Sequence, residues 1–267
     1  MTRLDERFRA LRASNEKALI CFVTAGDPSP KATVEIIATL AKAGVDAVEI
    51  GIPFSDPLAD GPSIQASSQR ALQAGMTVSR ALETIAQARR SVPPHFPIVV
   101  MTYYNPILRY GLERYAADAK AVGVDGHIVT DLTPEEADEW KRLSEANGLD
   151  TIFLLAPTST PQRIEIVTRL STGFVYCVSR TGVTGARNEV PAELTEVVTR
   201  IKSCTDLPVC VGFGVSAPEH VRQIAAFADG VVVGSRLVDL IHKHRDEPHL
   251  CAVVHDFTSK LKAATRG

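Results

Sequence analysis

The sequence predicts an α/β protein, a single (β/α)8 barrel that occupies residues 1–267 as one domain and carries an extra N-terminal helix. Short apolar runs of strand length alternate with helical patterns along the chain. Eight strand–helix units can be counted, which is the number that closes a barrel of parallel strands. No linker-like interval divides the 267 residues, a length that one such barrel commonly has. An open, doubly wound parallel sheet is the alternative.

The first half of the chain supplies the extra helix and four of the units. Residues 2–14 have the charged, amphipathic pattern of a helix that precedes the main fold. Thr77 stands in the N-cap position of one helix, although Arg80 replaces the glutamate of a complete capping box. The predicted strands and following helices are 19–24 and 31–43, 46–52 with 63–74 and 77–91, 97–103 and 111–122, and 125–130 and 134–147.

The second half repeats the alternation four more times, with a glycine-rich loop after its second strand. The predicted pairs are 150–155 and 161–170, 173–178 and 191–203, 207–212 and 217–227, and 229–233 followed by helices to the end. In this architecture, the TIM barrel, chemistry is carried out at the C-terminal ends of the strands by the loops that follow them.

Composition and charge exclude several classes of protein. Hydrophobic residues make up 45% of the chain and charged residues 22%, which is ordinary for a globular protein. The net charge of -2 gives no basic surface of the kind that binds nucleic acid. No apolar run approaches the roughly 18 residues of a membrane span, and the N-terminus lacks the apolar core of a signal peptide. Five cysteines without C-x-x-C spacing favour free thiols in a reducing cytoplasm.

Two carboxylates stand at the end of the second predicted strand and just beyond it. Because side chains alternate along a strand, Glu49 shares a face with the small residues Ala47 and Gly51. A carboxylate buried there is expected to have a raised pKa, as a general acid/base needs. Asp60 follows in a proline-containing loop, and the two form a candidate catalytic pair. The alternative is a structural glutamate in an ion pair and an aspartate in a turn.

Three glycine-rich turns follow the last three strands, at 179–185, 212–216 and Gly234-Ser235. Glycine lets backbone N–H groups approach a ligand, and the loops after strands seven and eight of a barrel often hold a phosphate. The turns contain no lysine, so binding would depend on amides and on the Ser235 hydroxyl. The predicted substrate is a small phosphorylated molecule.

Schiff-base and metal chemistry are not expected, and neither is a cofactor in this chain. The lysines lie in predicted helices or just before the first strand, away from the strand ends. His242 and His244 are two residues apart on one helix and point away from each other. His127, the one histidine in a strand, is interpreted as a buried histidine that a neighbour satisfies. Acid/base work by carboxylates remains.

Several segments together resemble the tryptophan synthase α chain family along essentially the whole chain. They are FVTAGDP at 22–28, EIGIPFSDPLADGPSIQ at 49–65, YYNP at 103–106, SRTGVTG at 179–185, GFG at 212–214 and GS at 234–235. The resemblance implies the barrel already predicted and the cleavage of indole-3-glycerol phosphate to indole and D-glyceraldehyde 3-phosphate. It also implies an α2β2 heterotetramer in which the partner β chain holds pyridoxal phosphate and receives the indole.

The same resemblance implies roles for individual residues. Glu49 would be the general acid/base that protonates the indole ring carbon and relays the glycerol hydroxyl proton. Asp60 would accept a hydrogen bond from the indole N–H. The implied phosphate ligands are Gly185, Gly214, Gly234 and Ser235, and the implied indole pocket is lined by Phe22, Met101, Ile128, Leu154, Tyr176 and Phe213. Thr130 and Thr133 depart from the family pattern, in which prolines are frequent in this stretch.

Two loops have predicted roles beyond the chemistry. The loop at 179–190, which includes Arg180 and Thr184, is expected to be mobile without ligand and to close over bound substrate. Arg180 itself has no assigned role.

The apolar loop at 52–58 and the neighbouring 104–107 loop are expected to form the β-chain docking surface. Its named residues are Pro53, Phe54, Asp56 and Asn105. The alternative is that these side chains fold inward to wall the site.

Two other functions remain open beside the lyase. One is another phosphate-binding barrel enzyme, such as an isomerase or a ring-closing synthase. The other is a catalytically silent subunit that binds the ligand only to control a partner.

Overall fold

A computed structural model describes residues 1–178, 191–212 and 214–266, and its strands form one parallel sheet. The strands are β1 (Ala18–Thr24), β2 (Ala47–Gly51), β3 (Ile98–Thr102), β4 (Gly126–Val129), β5 (Asp150–Thr151), β6 (Leu154–Leu155), β7 (Val175–Val178), β8 (Val209–Gly212) and β9 (Gly230–Val233). Their order is β5-β4-β3-β2-β1-β9-β8-β7-β6. This sequential order contradicts a doubly wound sheet, in which the order reverses at a switch point.

The sheet closes on itself through the segment that joins β5 to β6. These strands lie at the two ends of the sheet order, yet only Ile152 and Phe153 separate them in the chain. Ile152 N–H donates to the His127 carbonyl (2.9 Å), and Tyr176 N–H donates to the Phe153 carbonyl (3.2 Å). The two short strands are therefore one interrupted strand that pairs with β4 on one side and β7 on the other. The predicted eight-stranded barrel is confirmed.

The helices lie close to their predicted positions, with two differences. They are α1 (Arg3–Ala13), α2 (Pro30–Lys42), α3 (Pro62–Gln73), α4 (Val78–Ser91), α5 (Tyr104–Tyr110), α6 (Leu112–Ala121), α7 (Asp138–Ala146), α8 (Pro161–Leu170), α9 (Ala192–Lys202), α10 (Pro218–Ala225), α11 (Ser235–Lys243) and α12 (Leu250–Ala263). Helix α5 replaces the loop predicted at 104–107, and a 3-10 turn at Pro134–Glu136 precedes α7. Thr77 caps α4, its hydroxyl accepting from Arg80 N–H at 3.3 Å.

Alternate residues of the strands face the two sides of the barrel wall. Ile20, Ala47, Val99 and Ile128 belong to the cluster that fills the interior, whereas Val48 belongs to the larger cluster between strands and helices. Because adjacent side chains point to opposite faces, the period of two in the sequence places these residues correctly.

Helix α1 closes the N-terminal end of the barrel. Leu4, Phe8 and Leu11 pack into the interior cluster, and the Phe8 and Phe174 rings lie 5.9 Å apart. Charge reinforces this closure, since Arg3 pairs with the buried Asp125 at 2.7 Å. A shallow hollow beside Phe8 and Leu11 lies at this end, far from the strand ends where the chemistry is expected.

Ion pairs at this end of the barrel also include the C-terminal helix α12. Asp46 accepts from Leu19 N–H (2.6 Å) and pairs with the buried Lys262 (2.9 Å) and with Arg7. These contacts tie α1, β2 and α12 together.

All five cysteines are free thiols, and within the described ranges no helix has the length and apolar character needed to cross a membrane.

Candidate active site

Glu49 projects from β2 into the barrel, as the strand alternation predicts. It pairs in register with Phe22 on β1 and Val99 on β3, and only 1% of its surface is exposed. One carboxyl oxygen, Oε2, has no hydrogen-bond partner. Burial, aided by the negative charge of Asp60, raises the pKa of Glu49 to about 8. At neutral pH the carboxyl is therefore protonated and can donate a proton.

Asp60 lies in the loop after β2, held by its own backbone and by Tyr103. Its N–H donates to the Pro57 carbonyl (3.0 Å), and its carbonyl accepts from the Gln65 amide (2.8 Å). The Tyr103 hydroxyl donates to the Asp60 carboxylate and accepts from Ala59 N–H at 3.0 Å. Burial raises the pKa of Asp60 to about 6, and the Tyr103 hydrogen bond limits that rise.

The two carboxyl groups thus differ in protonation at pH 7. Glu49 carries its proton, because its pKa is about 8, and Asp60 has lost its proton, because its pKa is about 6. Pairs of titratable groups whose surroundings push their pKa values apart are how active sites divide acid and base roles. The site therefore offers one proton donor and one anion at neutral pH.

Tyr103 is a site residue that sequence reasoning did not single out. It appeared only within the YYNP segment, yet it forms the link between β3 and the Asp60 loop. Its ring packs against Phe54 with centroids 5.2 Å apart. Burial and the nearby Asp60 charge raise the pKa of Tyr103 to about 12, so the hydroxyl remains a donor. A tyrosine directly after a strand next to the Glu49 strand was the available signal.

The helix after the Asp60 loop is anchored to the end of β1. The Thr24 and Ser67 hydroxyls hydrogen-bond at 2.6 Å inside the wall. Arg70 of α3 forms two hydrogen bonds with the Asp27 carboxylate, at 2.9 and 2.7 Å. The loop that carries Asp60 is therefore fixed at both ends, by β2 and by an anchored helix.

Phe22 lies between the carboxylate strand and the last glycine-rich turn. A methyl group added at Gly51 would lie 2.5 Å from the Phe22 ring, and one added at Gly234 would lie 3.6 Å from Phe22 Cβ and 3.7 Å from Ile64. Glycine at position 51 therefore leaves room that the Phe22 ring occupies. The ring connects the Glu49 region to the predicted phosphate end.

The other predicted pocket residues in the described part of the chain also face the interior. Ile128 is fully buried, whereas Met101, Leu154 and Tyr176 are partly exposed while packing against the interior cluster. Tyr176 approaches Gly212 closely, since a methyl group there would lie 2.6 Å from its hydroxyl. The interior cluster is therefore closed at Ile128 and partly open to solvent at these three side chains.

The predicted phosphate residues in the described part lie at two adjacent strand ends. Gly214 follows β8 with φ +46°, a conformation that favours glycine. Gly234 follows β9 and precedes Ser235, the first residue of the nine-residue helix α11. The first N–H groups of a helix have no partner within it, so they are available to an anion.

Four of the predicted site residues cannot be located here. Arg180 and Thr184 of the predicted mobile loop, Gly185 of the phosphate set and Phe213 of the pocket lie outside the described residues. His127 is a buried core residue, as interpreted from the sequence. Its Nε2 hydrogen-bonds to the Tyr115 hydroxyl at 3.1 Å, and burial lowers its pKa to about 3.

The predicted docking loop divides into buried and exposed parts. Pro53 is buried and Phe54 half-buried against Tyr103, so these two wall the site. Asp56 and Asn105 are exposed, and Leu58 is 93% exposed.

The sequence is similar to those of known proteins. The sequence profile of the family described as tryptophan synthase alpha chain matches residues 8–266. A tryptophan synthase alpha chain from Geobacter sulfurreducens is 50% identical over 264 residues, which is 99% of each chain. Another from Solibacter usitatus is 47% identical over 98% of this chain and 97% of that one.

Solved structures agree with the sequence relatives. Tryptophan synthase subunit alpha from Legionella pneumophila superposes with a TM-score of 0.92 at 36% identity, over 99% of this chain and 98% of that one. A chain of Mycobacterium tuberculosis tryptophan synthase superposes with a TM-score of 0.91 at 40% identity, over 100% and 99%.

Proposed function

The chain belongs to the tryptophan synthase alpha chain family, and from this premise we propose which of its residues carry the reaction and bind the partner. The reaction is the cleavage of indole-3-glycerol phosphate to indole and D-glyceraldehyde 3-phosphate, a lyase step of L-tryptophan biosynthesis. The alpha chain has no cofactor of its own, since pyridoxal phosphate belongs to the beta chain.

The proposed acid is Glu49, and its complete burial inside the barrel, which raises its pKa to about 8, is the observation that carries the proposal. The bond between the indole ring and the glycerol side chain breaks only if the ring carbon first gains a proton. A neutral carboxyl with a raised pKa of about 8 can supply that proton. The carboxylate that results can then accept the proton of the glycerol hydroxyl as the bond to the ring breaks. Indole and the aldehyde are released, and Glu49 has its proton again.

Asp60 is proposed as the anion that stabilises the protonated ring. Protonation at carbon places positive charge on the ring nitrogen, whose N–H can donate to a carboxylate. Asp60 is ionised at neutral pH because its pKa is about 6, and Tyr103 holds it by a hydrogen bond. In a site with little water, such a charge interaction is worth more than in solution.

The substrate is proposed to lie across the top of the barrel. The indole would lie against the apolar side chains of Phe22, Met101, Ile128, Leu154, Tyr176 and Phe213. The phosphate would bind the amides of Gly185, Gly214 and Gly234 together with Ser235. The position of Phe22 beside both Gly51 and Gly234 supports this arrangement, because it joins the acid to the phosphate end. The 179–190 loop, with Arg180 and Thr184, remains a proposed lid.

The test of this assignment is indole release from indole-3-glycerol phosphate by the purified chain. We expect Glu49→Gln to abolish the activity and Asp60→Asn to lower kcat by at least a hundredfold. Glu83→Gln serves as the matched control because Glu83 is an exposed glutamate on α4. If Glu49→Gln keeps activity within tenfold of the wild type, the acid has been misassigned. If Asp60→Asn changes only KM, Asp60 is a binding residue.

We further propose that the chain acts in the cytoplasm as one domain of residues 1–267 and joins two beta chains in an α2β2 heterotetramer. Leu58 and Leu108 support a docking face near the barrel mouth, because both are large apolar side chains exposed by 93% and 50%. They follow the neighbouring strands β2 and β3, as do Asp56 and Asn105.

Stimulation by the beta chain tests the docking face. We expect Asp56→Ala and Leu58→Ser to reduce stimulation at least fivefold while changing the unassisted reaction by less than twofold. Asp206→Ala is the control, because Asp206 is exposed before β8 at the opposite end of the barrel. Equal losses with and without the beta chain would mean that this loop serves only its own site.

A further inference from the structure

The turn between α11 and α12 gathers two imidazoles around one carboxylate. His244 Nδ1 lies 2.7 Å from Glu247 Oε2, and His249 Nε2 lies 2.8 Å from the same oxygen. Within the described ranges, these three residues are the one group of histidine, cysteine or acidic side chains whose ligand atoms all lie within 4.8 Å of one another. They take no part in the proposed lyase chemistry.

We propose that His244, Glu247 and His249 bind a divalent transition-metal ion, with Zn²⁺ as the reference case. Two imidazole nitrogens and a carboxylate oxygen are ligands that zinc, cobalt, nickel and copper prefer, whereas magnesium and calcium prefer oxygen alone. Three protein ligands leave the fourth tetrahedral position for water.

Two of the three ligand–ligand distances fit this chemistry with little movement, and the two imidazole nitrogens lie within 4.8 Å of each other. Ligands bound at about 2.0–2.1 Å in a tetrahedron lie roughly 3.3 Å from one another. The two N–O distances of 2.7 and 2.8 Å therefore need to open by only about half an ångström. Each imidazole has one ring nitrogen facing the Glu247 carboxylate. A neutral ring can carry its proton on either nitrogen, so the facing nitrogen can be left free to bind metal.

The position of the cluster in the fold also favours a cation. His244 is the C-cap residue of α11, and its N–H donates to the Leu240 carbonyl at 3.2 Å. The C-terminal end of a helix carries partial negative charge, which attracts cations. Arg245 already donates to the His242 carbonyl there at 2.8 Å.

The three side chains combine access with partial preorganisation. Exposure rises from 19% for the His244 side chain to 40% for Glu247 and 60% for His249. His249 is also the N-cap residue of α12, so the ion would connect the end of one helix to the start of the next. The expected role is structural, since it would stiffen the turn that follows the helix beginning at Ser235.

Calorimetric titration of the untagged, chelator-treated full chain with ZnCl₂ tests the proposal. We expect one ion per chain, and we expect His249→Ala and Glu247→Gln each to weaken binding at least tenfold. His255→Ala is the matched control, because His255 is an exposed histidine on α12 outside the cluster, and it should change the affinity less than twofold. Circular dichroism of each variant verifies folding.

A second measurement separates a built site from casual binding. Zn²⁺ should raise the midpoint of thermal unfolding of the wild type and of His255→Ala, but not that of His249→Ala. Co²⁺ should give the visible absorption bands of a tetrahedral complex with the wild type but not with His249→Ala. Equal Zn²⁺ affinity in the wild type and in His249→Ala overturns the proposal.

Discussion

Replacing Glu49 with glutamine tests the buried carboxyl through stability as well as through activity. The pKa of Glu49 is about 8 in the folded protein, against an ordinary value of 4.5. The folded state therefore holds this proton more tightly than the unfolded chain does. The group's contribution to stability is complete below pH 4.5 and is lost as the pH rises toward 8.

The size of this loss follows from the two pKa values. Between about pH 5 and pH 8 it amounts to roughly 3–4 kcal/mol, since one pKa unit corresponds to about 1.4 kcal/mol. Glutamine keeps the shape of the protonated acid but has no proton to release. Other titrating groups contribute nearly equally to both proteins. The unfolding free energy of Glu49→Gln should therefore rise relative to the wild type by that amount across this range.

Urea unfolding at four pH values, monitored through the single tryptophan, measures the difference. Trp140 is buried, so its fluorescence responds to loss of the core. Glu83→Gln is the matched control, because Glu83 is an exposed glutamate on α4. A constant difference for Glu49→Gln between pH 5 and pH 8 refutes the argument that Glu49 is protonated at neutrality.

Three further predictions concern the carboxyl pair and its surroundings. In the wild type, kcat/KM should rise through an apparent pKa near 6 and fall through one near 8, because the reaction needs ionised Asp60 and protonated Glu49. Tyr103→Phe should shift the rising limb of the pH–rate profile to higher pH, since it removes the hydrogen bond that lowers the pKa of Asp60. An unchanged rising limb would contradict a hydrogen bond between Tyr103 and Asp60. Gly51→Ala should raise KM at least tenfold in steady-state assays, because its methyl group would lie 2.5 Å from the Phe22 ring. Gly61→Ala is the control and should leave KM unchanged, because its methyl group would have no atom within 4 Å. Similar KM values for the two variants would show that the pocket accommodates the methyl group.

The sequence alone determined the features that depend on local pattern. Alternation along a strand placed Glu49 inside the barrel, because successive side chains must point to opposite faces. Counting strand–helix units predicted closure, since eight is the number of parallel strands that closes a barrel of this type. The helix cap at Thr77 was equally readable, because its hydroxyl bonds to a backbone N–H three residues away.

Features that depend on distant residues were not readable in this way. The sequence suggested a raised pKa for Glu49, but the structure supplied its value, which results from complete burial and from a second carboxyl brought close by a loop. The segment at 104–107 was predicted as a loop, yet it begins helix α5, where Tyr104 N–H donates to Asp131 at 2.7 Å. That partner lies 27 residues away, beyond any local pattern.

The histidines show most directly what only the tertiary structure decided. Spacing within one helix predicts that His242 and His244 point away from each other, and so it argued against a metal site. The residues that approach His244 come from the following turn, where Glu247 and His249 are brought back toward it. Sequence periodicity describes neighbours on one element, whereas a turn between two helices is set by the packing of both against the barrel. Side-chain convergence of this kind therefore becomes visible only once the chain has folded.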